Sequence, residues 1–284
     1  MINDSELILN QDGSVYHLNL LPEDIADTII FVGDQERVPL VSRHFDDIEI
    51  VKGKREFITH TGHLRGKRIS VVSTGIGTDN IDIVINEIDA LFNVDLQTKV
   101  LNSKIKSVDI IRIGTSGSMR RDIEIDQIIV SEFAVGFDSL MQFYKKQYTD
   151  EEIRIREVVT EAFATLDIRP YVGKANESLL EKYAHDLPRG ITVTAPGFYG
   201  PQGRKVRTQE TAPQFIEVAG NLAIDGRHIT NLEMETAGIY ALSNMFGHRA
   251  ISINAILASR VDTRFSEQPQ AVIERAIELV LERF

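Results

Sequence analysis

A chain of 284 residues can bury a full core, as one large domain or two small ones. Its 42 acidic and 31 basic residues leave a net charge of −11, which argues against a nucleic-acid surface as the main partner. With no cysteine, disulfides, thiolate metal sites and a cysteine nucleophile are excluded. No apolar run approaches the roughly 18 residues of a membrane span, and the first residues lack the pattern of a signal peptide, so a cytoplasmic setting is expected. There is no repeat, low-complexity tract or long linker, and one domain over residues 1–284 is expected. Anion binding in so acidic a chain requires basic groups gathered locally.

Residues 15–20 read as a short extended lead containing His17. Asp27 to Val32 is a short, nearly all-apolar strand of the kind buried on both faces. It ends in Gly33-Asp34-Gln35-Glu36-Arg37, where a glycine before a helix start lets backbone N–H groups approach an anion and Arg37 follows one turn later. Glu49–Thr61 and Lys67–Thr74 read as β-rich stretches joined at Gly62 and Gly66, which places Arg55 and Glu56 within an extended run and Ser73 at a strand end. Ile81, Val84, Ile85, Ile88, Leu91 and Phe92 then mark one face of a helix.

Val108–Ile113 is the third buried strand, closed by Arg112-Ile113-Gly114-Thr115-Ser116-Gly117. An arginine, two glycines and two hydroxyls at a strand end are suited to an anion, and open α/β sheets place ligands in such crevices. Gln127–Val135 reads as strand, Glu152–Leu166 as helix, and Tyr171–Ala175, Glu177–His185 and Gly190–Ala195 as strand, helix and strand. Pro196 to Arg204 holds too many turn formers for regular structure. In that loop Phe198 can stack on a planar ring, while Gln202 and Arg204 offer hydrogen bonds to a ring's edge.

Between residues 230 and 245 the apolar positions Met234, Ala237, Ala241, Leu242 and Met245 predict a helix with one buried face. Thr230 with Glu233 has capping-box spacing, which puts Glu235 in the first turn, where the helix dipole favours its charged form. Two readings stand: surface glutamates on a core helix, or Met234 and Glu235 facing a cleft in which a carboxylate accepts from sugar hydroxyls. Arg249–Ser259 is the last buried strand, leading into Arg260-Val261-Asp262-Thr263, and an amphipathic helix through Val280 ends the pattern. Strands alternating with helices, with glycine-rich turns at strand ends, define an α/β protein with a mixed sheet and helices on its faces.

In this order, from about Tyr16 onward, Gly33-Asp34…Arg37, Arg55-Glu56-Phe57, Arg112 to Gly117, and Glu233-Met234-Glu235 resemble the nucleoside phosphorylase family of the purine and uridine type. The resemblance implies a single three-layer α/β/α domain with a central mixed, partly barrel-like sheet. It assigns phosphate to Gly33, Arg37, Arg112 and Thr115, with Arg55 supplied by a neighbouring subunit. It assigns ribose to Glu233, Met234 and Glu235, with His17 reaching across a subunit interface. Base binding falls to Ser116, Gly117, Phe198, Gln202 and Arg204, a lid role to Arg260, and a possible potassium ion at a dimer interface to Glu56 and Ser73. A dimer or a hexamer built from dimers is implied, with inorganic phosphate as co-substrate and no required cofactor.

Purine-cleaving members carry an aspartate after a serine at the end of the last strand, where this chain has Ser259-Arg260. Uridine-cleaving members carry Phe-Tyr-x-x-Gln-x-Arg, which Phe198 to Arg204 satisfies. Departures are Gly200-Pro201 in place of the usual Pro-Gly order, Ser116 for a second threonine, and Ser259 for an asparagine before the arginine; they bear on substrate breadth. The expected reaction is phosphorolysis of uridine to uracil and ribose 1-phosphate, with Arg112, Gln202, Arg204 and Glu235 at the chemistry. A purine nucleoside phosphorylase and a non-catalytic nucleoside sensor are the alternatives.

Overall fold

In the computed structural model, which describes residues 2–209, 212 and 214–284, the apolar run after Asp27 forms β1 (Thr28–Val32), fully buried from Ile29 onward. Helix α1 (Arg37–Ser42) follows, then three antiparallel strands, β2 (Asp47–Lys54), β3 (Phe57–Leu64) and β4 (Lys67–Ser73). Helix α2 (Thr78–Asn93) buries Ile81, Val84, Ile85, Ile88 and Leu91, the stripe its sequence predicts. After a small ribbon of β5 (Val94–Asp95) and β6 (Val100–Leu101) come the long strands β7 (Asp109–Ser118) and β8 (Ile128–Gly136). Next are α3 (Asp150–Ala162), β9 (Tyr171–Lys174), α4 (Glu177–Ala184) and β10 (Arg189–Thr194). Then α5 (Phe215–Asn221) and β11 (Ala223–Ile224) lead to β12 (Arg227–Glu233) and α6 (Thr236–Phe246). β13 (Arg249–Ser259), β14 (Arg264–Phe265) and α7 (Pro269–Glu282) complete the order.

Twelve strands form one mixed sheet. β1 lies parallel between β4 and β7, and β3 and β2 extend that side antiparallel. On the other side the sheet closes on itself. β7 pairs with β13, β13 with β8, β8 with β10, β10 with β12, and β12 returns to β7. The α/β architecture with a partly barrel-like sheet is therefore present, with helices packed around it.

Four local expectations are corrected. Residues 227–233 are a strand, not the start of a helix, because β10 and β7 offer hydrogen-bonding edges on both sides of them. Tertiary pairing outweighs the capping-box pattern there. Helix α6 starts only at Thr236 and is buried all round from Thr236 to Ser243, not on one face, because it packs against α2 as well as the sheet. The stretch 49–61 is split by a two-residue connection at Arg55-Glu56, with Arg55 in the left-handed region at φ 55, and no glycine, asparagine or aspartate at either position announced it. Residues 15–20 are a turn held by the Leu9–Val15 bridge.

Candidate active site

One open cavity of about 1460 Å³ lies beyond the carboxyl ends of β1, β7, β12 and β13. This is where a parallel α/β sheet leaves a crevice. The turn after β1 lines it with Gly33 and Arg37, β7 with Arg112, Thr115, Ser116 and Gly117, and the end of β12 with Glu233, Met234 and Glu235. The loop after β10 adds Phe198, Gln202 and Arg204, and the end of β13 adds Arg260. His17, Arg55 and Ser73 do not line it.

β7 does not close before the glycines. It runs through Ser118, so Thr115 and Ser116 are paired strand residues opposite Ala255 and Ile256. Gly114 has a different task from anion approach: a Cβ there would lie 1.7 Å from Arg112 Nη1. The missing side chain lets the Arg112 guanidinium lie back along its own strand. Buried Arg112 donates to Glu235 Oε2 at 2.6 Å and to Asn254 Oδ1 at 2.9 Å, and pairs with Glu233 at 3.0 Å. Burial alone would lower its pKa, but the two carboxylates hold it above the ordinary arginine value. Arg37 donates to the Ile113 carbonyl at 3.3 Å, and burial first, then the Arg112 charge, lowers its pKa. Two guanidinium groups that raise each other's energy in one crevice are suited to an anion that neutralises both.

Glu235 is the residue just before α6, with φ −133. One of its oxygens accepts from the Gly77 N–H at 2.8 Å, across the turn into α2, while the other holds Arg112. Gly77 has φ 91, a conformation that suits glycine. Glu233 is spent inside the fold. It accepts from the N–H groups of Glu235 and Thr236 and from the hydroxyls of Thr236 and Thr194. It therefore caps α6 from the strand end, replacing the Thr230–Glu233 box, and stands behind Glu235. Half-buried Met234 faces the cavity between them.

In the loop after β10, Arg204 lies over the Phe198 ring at 3.7 Å and donates to the Phe198 carbonyl at 2.7 Å. A face of Phe198 that was expected to meet a ring is thus covered by Arg204. Arg204 also donates to Gln202 Oε1. Because arginine only donates, the Gln202 oxygen faces it and the Gln202 NH₂ is left for a ligand. Burial, then the neighbouring Arg260, brings the Arg204 pKa down to about 10, so it stays charged at neutral pH.

Arg260, expected as a lid, lines the cavity beside the base loop. It donates to the carbonyls of Gln202 and Gly203 at 3.0 and 3.4 Å and ties the loop to β13. Asp262 turns away onto Ser259 and Arg121 and does not line the cavity.

Of the remaining expected residues, Glu56 lines the cavity, while Arg55, His17 and Ser73 do not. Exposed Arg55 sits at the tip of the β2–β3 hairpin. His17 Nδ1 contacts Glu87 at 2.6 Å, and the same carboxylate accepts from the His17 and Leu18 N–H groups. Ser73 donates to the Glu56 backbone carbonyl and accepts from the Ile58 N–H, which leaves its oxygen one lone pair, and the Glu56 carboxylate makes no hydrogen bond or ion pair among the described residues. Sequence reasoning missed Asn254, Gly77 and Thr194, which hold Arg112, Glu235 and Glu233. The available signal was polar residues inside an otherwise apolar buried run, as Ser252 and Asn254 are in β13.

The sequence matches the Phosphorylase superfamily over residues 27–283, and the chain belongs to that superfamily. It is 34% identical over 259 residues to a uridine phosphorylase of Thermococcus kodakarensis, covering 90% of this chain and 82% of that one. Identity to a DeoD-type purine nucleoside phosphorylase of Colwellia psychrerythraea is 27% over 270 residues, covering 94% and 97%. The fold matches a Trypanosoma brucei nucleoside phosphorylase, whose crystal structure is described as showing uridine phosphorylase activity, with a TM-score of 0.90 at 30% identity and 98% coverage of both chains.

Proposed function

We propose that the protein is a pentosyltransferase that cleaves uridine with inorganic phosphate, giving uracil and ribose 1-phosphate, and runs the reaction in reverse. The observation that carries this reading is a base pocket of donors. Gln202 presents its NH₂ and Arg204 its remaining N–H groups, while Asp262, the nearest acid after β13, points away. A departing uracil carries negative charge on its ring and carbonyl oxygens, which donors stabilise. A departing purine needs an acid at its ring nitrogen.

Arg37 and Arg112 would hold phosphate on one side of the sugar, and Glu235 would accept from the ribose hydroxyls with Met234 packed against the ring. Phosphate entering takes up Arg112's positive charge and releases Glu235 for the sugar, so the two substrates support each other's binding. Catalysis is then positioning and electrostatics with no covalent intermediate. Arg55 and His17 stand outside their own cavity, which supports a homo-oligomer in which a neighbour supplies them. Glu56 and Ser73 offer oxygens for a monovalent cation near such an interface. A cytoplasmic setting belongs to the same reading.

The test is absorbance-monitored base release from uridine, thymidine and inosine, each with and without phosphate. Release from uridine only with phosphate is expected. Release from inosine would transfer the assignment to purines, and no release from any of them would make the cavity a binding site without turnover.

A further inference from the structure

Inside the barrel, one polar side chain from each strand joins a continuous run of hydrogen bonds. Arg112 on β7 donates to Asn254 Oδ1 on β13 at 2.9 Å, and Asn254 Nδ2 donates to Ser131 Oγ on β8 at 3.0 Å. Ser131 Oγ lies 2.5 Å from Thr192 Oγ1 on β10, which donates to Asn231 Oδ1 on β12 at 2.8 Å. Asn231 Nδ2 then donates to Ser116 Oγ, back on β7, at 2.9 Å. Asn254, Ser131, Thr192 and Asn231 are at most 1% exposed. The run follows the pairing order of the barrel and ends on a residue that lines the cavity.

Its direction is set at one end. Arginine has no acceptor, so the Asn254 oxygen must face Arg112 and its NH₂ must face Ser131. Ser131 therefore receives one hydrogen and gives its own to Thr192, the one acceptor bonded to its oxygen among the described residues. Thr192 passes its hydrogen to Asn231, whose oxygen is fixed a second time by the Thr230 hydroxyl at 2.9 Å. The Asn231 NH₂ is thus forced toward Ser116. Each member is satisfied by the one before it, and such one-way chains polarise in the direction of donation.

We propose that this run keeps the Ser116 hydroxyl hydrogen available as a donor toward the cavity, and that Asn231 is the positioning residue that keeps it so. Asn231 fills one lone pair of the Ser116 oxygen and no acceptor among the described residues takes the Ser116 hydrogen, which leaves that hydrogen for the ligand. That corner then offers a hydrogen to an acceptor, such as a carbonyl oxygen or a deprotonated ring nitrogen. The identity of the acceptor as a uracil atom rests on the uridine reading; the direction of the ring does not.

Wild-type base release with and without phosphate comes first and decides the uridine reading by itself. Asn231→Asp keeps the shape but, when ionised, draws the Ser116 hydrogen inward. Its kcat/KM is expected to fall by about ten- to a hundredfold at alkaline pH, the scale of an unmatched buried polar group. The loss should shrink as pH falls, because a protonated carboxyl can again donate to Ser116. In a Ser116→Ala background the same change should cost almost nothing. A pH-independent loss, or an equal loss in both backgrounds, overturns the proposal.

If Asn231→Asp does not fold, Ser116→Ala and Ser116→Thr decide: Thr retains activity and Ala loses about tenfold, whereas an Ala variant as active as wild type overturns it. The ligand-free protein gives a readout without turnover. NMR contacts from the Asn231 amide protons to the Ser116 β-protons are expected, and contacts to the Thr192 methyl instead would reverse the direction and end the proposal.

Discussion

Gly114 shows how much one absent atom can decide. Its missing Cβ is the space in which Arg112 lies, so Gly114→Ala forces the guanidinium off Glu235 and Asn254. The expected result is a phosphate KM raised about tenfold or more, with an overpacking cost of about 1–3 kcal/mol; an unchanged phosphate KM would show that Arg112 does not meet phosphate. For Arg204, →Ala should lower kcat more than it raises the KM for uridine, because the guanidinium acts on charge that grows as the base departs. Near-normal turnover in that variant would remove Arg204 from the chemistry.

Glu235 gives a pH signature. Burial is the main influence on it and lifts its pKa above the ordinary 4.5, with the Glu233 charge adding and Arg112 and the Gly77 N–H opposing. As pH falls through that raised value the carboxylate proposed to hold ribose is lost, so kcat/KM should fall on the acid side before an ordinary glutamate would protonate. The stability effect has the opposite sign. A carboxyl whose pKa is raised by folding binds its proton more tightly in the folded state, so its contribution grows as pH drops from the raised value toward 4.5. Glu235→Gln should flatten both trends; an unaltered acid limb would assign it to another group.

At the level of elements, the junction between β12 and α6 carries Glu233, Met234 and Glu235 on the cavity wall, the side proposed for the sugar. Glu233 ends the strand, caps the helix and pairs with Arg112, so a single carboxylate serves the fold and steadies Glu235. Glu233→Ala is expected to cost at least the ~1 kcal/mol of a lost cap, and more because Arg112 loses one of its two buried carboxylate partners. Urea unfolding measures this, and an unshifted midpoint would mean that the Thr236 and Thr194 hydroxyls find other acceptors at no cost.

For the whole molecule, two of the three arginines expected at phosphate, Arg37 and Arg112, line the cavity, while the third, Arg55, stands on an exposed hairpin tip. If a neighbour supplies it, Arg55→Ala and Arg112→Ala chains, each weak alone, should regain activity when mixed and refolded together. A mixed dimer would contain one site with both arginines intact. Absence of recovery at concentrations where mixed dimers are detected would return Arg55 to the surface.

Most elements were legible as sequence because their cause is local. The apolar run from Thr28 to Val32, the stripe from Ile81 to Leu91 and the turn formers from Pro196 to Gly203 each carry their own pattern. The arginines, the Glu-Met-Glu segment and the base loop were visible for the same reason, as unusual residue types at strand ends. What the sequence could not determine depended on partners distant along the chain. Whether Ile229 to Leu232 is strand or helix was decided by the edges of β10 and β7, and the use of Gly114 by where the Arg112 side chain lies. The direction of the Asn254 and Asn231 amides arises only when the sheet closes into a barrel and five strands face one another. A residue type fixes what a group can donate or accept, and the tertiary structure alone decides toward which neighbour it does so.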